Sequence, residues 1–151
     1  MSSSDTSDPA SWARELLTRV LDSLQDLTEV PVEIASVDPI DRTAERREAI
    51  STLGQHHDLD TAQPVEVDVT GTAGTEAFQF FLLNRGNQAE RISTCANSLV
   101  DAVQEALGST PFPTCPGHSH PAVVEQRSGQ VYWSCPDARA KALSPIAPGS
   151  L

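Results

Sequence analysis

Apolar side chains recur every three to four residues in two long stretches, and this spacing predicts two amphipathic helices. The first begins at Asp8-Pro9, where Asp8 supplies an N-cap acceptor and Pro9 occupies the first helical position. The second ends at Gly108, a residue type favoured at helix C-termini. A third helix is predicted over 41–53, with a thin apolar face. The apolar positions of the two long helices are Trp12, Leu16, Val20 and Leu24, and then Ile92, Ala96, Leu99, Val103 and Leu107.

Alternating apolar and polar residues predict strands between the helices. Residues 30–35 form one such stretch, and residues 65–70 and 77–83 form a hairpin across the turn Gly71–Gly74. Nearer the C-terminus, 122–126 and 130–133 predict a second hairpin. The fold class is therefore α+β: a small mixed layer of about three helices and three strands, followed by a ribbon-like β-hairpin.

Charge and proline content both change near Gly108, and this change predicts the domain organisation. Residues 1–108 have a net charge of −12, whereas the last 43 residues have a net charge of +1 and hold 7 of the 11 prolines. We predict a disordered N-terminus over 1–7, a body over 8–108, a zinc-ribbon-like hairpin over 109–137 and a flexible tail over 138–151. The first helix is expected to pack on the core of this body rather than to dock on a partner.

The overall composition excludes several classes of protein. The 151 residues include 21 acids and 10 bases, for a net charge of −11. An acidic chain lacks the basic surface that direct binding to nucleic acid or anionic membranes requires. No apolar run reaches the length of a spanning helix, and the first residues have no secretory signal pattern. We therefore expect a cytoplasmic, globular protein with a protein partner.

One segment of the chain offers metal-ligand chemistry. Cys115, His118, His120 and Cys135 follow the pattern C-x2-H-x-H-x14-C. The short first spacing lets one turn direct two side chains at a single ion, and the predicted hairpin returns Cys135 towards Cys115. Two thiolates and two imidazoles satisfy tetrahedral Zn²⁺. The sequence predicts a structural zinc ion at these four residues.

The same residues resemble a zinc ribbon. Cys115-Pro-Gly-His118 and Cys135-Pro-Asp-Ala138 are similar to the two CPxC knuckles of that motif. His118 stands where one cysteine is expected, and Ala138 removes the fourth ligand, so His120 or Asp137 takes that place. The run CPGHSHP followed by WSCP also resembles a tail found on small actinobacterial proteins of uncharacterised function. The resemblance implies no catalytic activity.

Other interpretations of the cysteines and histidines remain open at the level of the sequence. Cys115 and Cys135 form a disulfide in one alternative, and lie in a plain proline-rich tail in another. The run His56-His57-Asp58-Leu59-Asp60 holds further potential ligands, but adjacent side chains on one loop seldom converge on an ion. Cys95 lies on the apolar face of the second long helix and is predicted to be a buried structural thiol.

Three functional hypotheses follow. The first is a non-enzymatic interaction or regulatory protein with a structural metal-binding tail. The second is an acidic inhibitor or immunity-type protein that binds a basic partner, with association accelerated by the charge of its body. The third is a metal-dependent hydrolase that uses Cys115, His118, His120 and a bound water. We favour the first, because four protein ligands leave no open position on the metal.

Overall fold

The protein has an α+β fold, in agreement with the predicted class. The computed structural model describes residues 9–25, 27–40, 65–108, 110–115, 120–136 and 138–146. These residues form two helices and six strands: α1 (Ser11–Leu24), β1 (Val32–Ile40), β2 (Glu66–Ala73), β3 (Glu76–Leu83), α2 (Gln88–Leu107), β4 (Val123–Arg127), β5 (Gln130–Cys135) and β6 (Ala138–Pro145). The count of three helices is wrong for these residues. The third predicted helix, over 41–53, and the N-terminal segment 1–7 lie outside them.

Helix α1 packs one face on the core, as its periodicity predicted. It begins at Ser11 rather than at Pro9, with Ala10 as the N-cap and no side-chain hydrogen bond to the cap. The Arg14 guanidinium reaches across to β1 and donates a hydrogen bond of 3.1 Å to the Val37 carbonyl. The buried residues of α1 are Ala13, Leu16, Leu17, Val20 and Leu24.

The first sheet has the strand order β1-β2-β3, with both pairs antiparallel. The predicted hairpin between β2 and β3 is confirmed, and it closes on Gly74 and Thr75 because Ala73 pairs with Glu76. Strand β1 is longer than predicted, since it continues to Ile40. One face of the sheet is buried by side chains at alternate positions, namely Val67, Val69, Phe78, Phe80 and Leu82.

Helix α2 is confirmed and has a capping box at its start. The Glu90 amide donates to the Asn87 Oδ1 atom at 2.9 Å, and the Asn87 amide donates to Glu90 Oε1 at 2.8 Å. The helix ends at Gly108, whose φ of 74° is readily adopted only by glycine. Within the described ranges, neither helix combines the length and apolar character that crossing a bilayer demands.

The second sheet has the order β4-β5-β6 and extends the predicted hairpin by one strand. Strands β4 and β5 are joined by Ser128 and Gly129, whose φ values of 55° and 78° are typical of a type I′ turn. Residues 138–145, predicted as part of a flexible tail, form β6 instead. The pairing of β6 with β5 is interrupted by two register shifts. The sequence of β6 alternates alanine with arginine and lysine over 138–142, but alanine has low β propensity, so this pattern is a weak signal of a strand.

A single hydrophobic core joins the two sheets and the two helices. Trp133 of β5 is fully buried, and its indole Nε1 donates a hydrogen bond of 2.8 Å to the Ser23 hydroxyl of α1. The Ser144 hydroxyl of β6 donates to the Ser23 carbonyl at 3.3 Å. The packing therefore continues across Gly108, where charge and proline content change.

Candidate metal centre

Three of the four predicted metal ligands converge in the structure. Cys115, His120 and Cys135 each offer one ligand atom, and these atoms lie within 4.8 Å of one another. Zinc bonds of about 2.3 Å to sulfur and about 2.0 Å to nitrogen place the ligands of a tetrahedral site roughly 3.5–3.8 Å apart. The three atoms are therefore close to the separation that one ion would bridge.

The first two ligands lie on the facing arms of the loop between α2 and β4. The Cys115 amide donates to the His120 carbonyl at 3.2 Å, and the Ala122 amide donates to the Pro113 carbonyl at 2.8 Å. Thr114 and Pro121 form an isolated antiparallel bridge between these contacts. Backbone pairing thus brings Cys115 beside His120 before any ligand bond is made.

The third ligand comes from the end of β5. Strand β4 begins directly after the loop, and Val123 of β4 pairs with Ser134 of β5. Cys135 follows Ser134, so it lies at the end of the sheet where the loop joins β4. The Cys115 and Cys135 residues are 1% and 3% exposed, respectively, whereas His120 is partly exposed. The sulfurs are thus shielded from water, and the imidazole lies nearer the surface.

The backbone beside His120 can select the ring nitrogen that faces a metal. The Nδ1 atom of His120 lies 3.3 Å from the Pro121 carbonyl oxygen. Donation from Nδ1–H to this oxygen leaves Nε2 unprotonated, which is the state that coordinates a metal. Two thiolates and one neutral imidazole form a donor set that suits Zn²⁺ better than hard cations such as Mg²⁺.

The loop is also held to α2 and to the segment after α1 by polar contacts. The Gln104 side-chain amide donates to the Gly108 and Thr110 carbonyls at 2.9 and 2.7 Å, and its Oε1 atom accepts from the Phe112 amide at 2.9 Å. The Thr114 amide donates to the Leu27 carbonyl at 2.9 Å. Gln104 was not predicted from the sequence. The one local sign of its role is its position in the last turn of a helix that precedes a proline-rich loop.

The other candidates from the sequence have different outcomes. His118 and Asp137 lie outside the described residues, and so does the run His56-His57-Asp58-Leu59-Asp60. None of the three cysteines is joined in a disulfide in this structure. Pairing of Cys115 with Cys135 stays an alternative prediction, which the thiol measurements described below test.

Cys95 is buried on α2, away from the cluster of ligands. Burial raises the pKa of its thiol from 9.0 to about 12. In the unfolded chain this thiol ionises near pH 9, whereas in the folded protein it stays protonated until about pH 12. Its contribution to stability is therefore fully present below pH 9 and is lost as the pH rises towards 12.

We expect Cys95→Ala to reduce the loss of stability in alkali. The free energy of unfolding of the wild-type protein should fall more steeply than that of the variant above pH 9. Urea unfolding at a series of pH values between 7 and 12 measures both slopes. The difference between the two slopes removes the effect of all ionisable groups that the wild-type protein and the variant share. Parallel curves would contradict the assignment of a neutral, desolvated thiol.

No family model, curated protein or solved structure matches this chain. The class of site is therefore defined by its geometry: a cluster of two cysteines and one histidine that could hold a metal ion. Its functional interpretation depends on this donor set and on the surfaces around it.

Proposed function

We propose that the protein is a non-enzymatic interaction or regulatory protein in which zinc at Cys115, His120 and Cys135 has a structural role. The observation that supports this proposal is the convergence of the three ligand atoms within 4.8 Å. The sequence predicts His118 as the remaining protein ligand, from the Cys115-x2-His118 spacing. Four protein ligands leave no position for substrate or attacking water, which favours a structural ion over the hydrolase alternative.

A bound zinc ion would stabilise the second sheet. It would tie the loop between α2 and β4 to the end of β5, close to Trp133, which contacts α1. A metal ion that binds the folded chain but not the unfolded chain shifts the unfolding equilibrium towards the native state. The proposed role of the metal is therefore to hold the C-terminal sheet against the helices.

The test is the metal content of protein purified without chelator. We expect close to one zinc per chain by inductively coupled plasma mass spectrometry, and loss of that zinc in Cys115→Ser and Cys135→Ser. The matched control is Cys95→Ser, which removes a thiol outside the cluster and should retain the metal. Chelation should lower the unfolding midpoint of the wild-type protein and leave those of the two depleted variants unchanged.

The same samples distinguish the alternatives. Zinc-free protein with Cys115 and Cys135 both open to alkylation would refute the metal site. Zinc-free protein with these two thiols blocked and joined in one cross-linked peptide would establish the disulfide instead. Retention of zinc in His118→Ala would show that His118 is not the fourth ligand. Hydrolytic activity that depends on zinc would favour the metal-dependent hydrolase.

A further inference from the structure

Exposed large apolar side chains gather at one end of the first sheet. Among the described residues they are Val65, Phe81 and Leu83, with exposed fractions of 40%, 51% and 38%. Phe81 and Leu83 alternate along β3 with the buried Phe80 and Leu82, so they face away from the core. An aromatic side chain half exposed on a regular strand is a common feature of binding surfaces.

The register of the sheet places carboxylates on the strands beside these two residues. Phe81 pairs with Asp68, and Asp68 pairs with Asp38 on the next strand. Leu83 pairs with Glu66 in the adjacent row. Residues that pair directly in an antiparallel sheet share a face. We call the set Asp38, Glu66, Asp68, Phe81 and Leu83 the acidic-aromatic face.

The charge of the three strands has one sign only. Together β1, β2 and β3 contain five acidic residues and no lysine or arginine. Asp68 is held in place on this face by the Gln79 side-chain amide, which donates to its Oδ1 atom at 2.8 Å. The face therefore combines an apolar edge on β3 with negative charge on β1 and β2. The five acids of the strands are Glu33, Asp38, Glu66, Asp68 and Glu76.

We propose that the acidic-aromatic face binds a protein partner that presents an apolar side chain flanked by lysine or arginine. This inference rests on the interaction role in the proposed function, but it does not depend on the metal. Carboxylates on the strands beside Phe81 favour basic groups next to the apolar contact, and the ring itself offers apolar area and attraction for a cation. Charge attraction would accelerate the encounter and weaken with salt.

Charge also decides between this partner and two other occupants. A second copy of the chain would bring the same carboxylates against each other, which is unfavourable. The chain's own segment 41–64, which connects β1 to β2, has five acids and three arginines and would add net negative charge. A basic partner is the occupant that neutralises the face.

The experiment uses the full chain and two synthetic peptides of equal charge, one alternating lysine with leucine and one alternating lysine with serine. We expect nuclear magnetic resonance titration to show that the lysine-leucine peptide binds, with the largest shifts at the amides of Asp68, Phe81 and Leu83. The serine peptide should bind about tenfold more weakly, because it offers no apolar contact. Failure of the lysine-leucine peptide to bind would overturn the proposal.

Matched variants separate this face from general acidity. Phe81→Thr keeps a residue suited to a strand, and Asp68→Asn keeps the acceptor for Gln79; each should weaken binding of the lysine-leucine peptide by about three- to tenfold. Asp101→Asn and Glu105→Gln each remove the same single charge from the exposed surface of α2 and should leave binding unchanged. Equal weakening by the α2 variants would mean attraction by net charge alone and would refute the face.

Measurements without peptide exclude the other occupants. Phe81→Thr should leave the unfolding midpoint and the sedimentation coefficient of the chain unchanged. A marked fall in the midpoint would show that segment 41–64 covers Phe81, and a shift from dimer to monomer would show that a second copy does. Either result overturns the proposal. Zinc content is measured separately, so failure of the metal site and failure of this face are distinguishable.

Discussion

Removal of residues 109–151 is expected to abolish the cooperative unfolding transition. These residues supply Phe112, Trp133 and Ile146, which are fully buried in the core that α1 and α2 share with both sheets. Deletion of one large buried aromatic side chain costs about 3–5 kcal/mol, whereas a whole domain has only about 5–15 kcal/mol of stability. A chain that ends at Gly108 would lose at least two such side chains and expose the surfaces they cover.

Single substitutions test this expectation without truncation. Trp133→Ala should lower the free energy of unfolding by about 3–5 kcal/mol in urea titrations. Ser23→Ala removes only the hydroxyl that accepts the indole hydrogen bond and should cost about 1–3 kcal/mol, because the buried Nε1–H loses its partner. A sharp thermal transition in the isolated segment 8–108 would instead show that the sequence-derived boundary at Gly108 separates two folding units.

Deletion of residues 1–27 is also expected to abolish the cooperative unfolding transition, as removal of residues 109–151 does. Helix α1 buries Leu16, Leu17, Val20 and Leu24 against the core, and Ser23 connects it to the second sheet. Leu17→Ala should lower the free energy of unfolding by about 2–5 kcal/mol. Thr18→Ala, on the exposed side of the same turn, should change it by less than about 0.5 kcal/mol.

Circular dichroism and urea titration of these proteins measure the contribution of α1 directly. Equal and small effects of Leu17→Ala and Thr18→Ala would contradict its place in the core. If the chain without residues 1–27 kept a stable fold and lost binding to the lysine-leucine peptide, α1 would be a docking helix, the interpretation that we disfavoured from the sequence.

The elements that the sequence predicted well are those fixed by neighbouring residues. The alternation in β2, the apolar segment of β3 and the periodicity of α2 each arise within one short window, so local pattern suffices. Some boundaries were less accurate, since α1 begins at Ser11 rather than at Pro9 and β1 continues to Ile40. The start of α2 is fixed by the side-chain hydrogen bonds of the Asn87–Glu90 capping box.

The features that the sequence could not predict depend on distant residues. Strand β6 has only alanines at its alternating apolar positions over 138–142, which is a weak strand signal, and nothing near Trp133 indicates that its partner is Ser23, 110 residues away. The metal cluster lies between these cases. The spacing of Cys115 and His118 predicted a shared turn with His120 close by, and the predicted hairpin returned Cys135 towards Cys115, but the exact register that places Cys135 there was visible only in the structure. The acidic-aromatic face required the cross-strand pairing and was not predicted at all.

The bonds to Ser23 also have a consequence for the order of events during protein synthesis. The Ser23 hydroxyl and carbonyl accept hydrogen bonds from Trp133 and Ser144, which lie 110 and 121 positions later in the chain. While the ribosome translates the intervening segment, α1 has no access to Trp133 or Ser144. Contacts between residues so distant in sequence also slow folding. The attachment of α1 to the second sheet therefore forms only after that sheet has been synthesised.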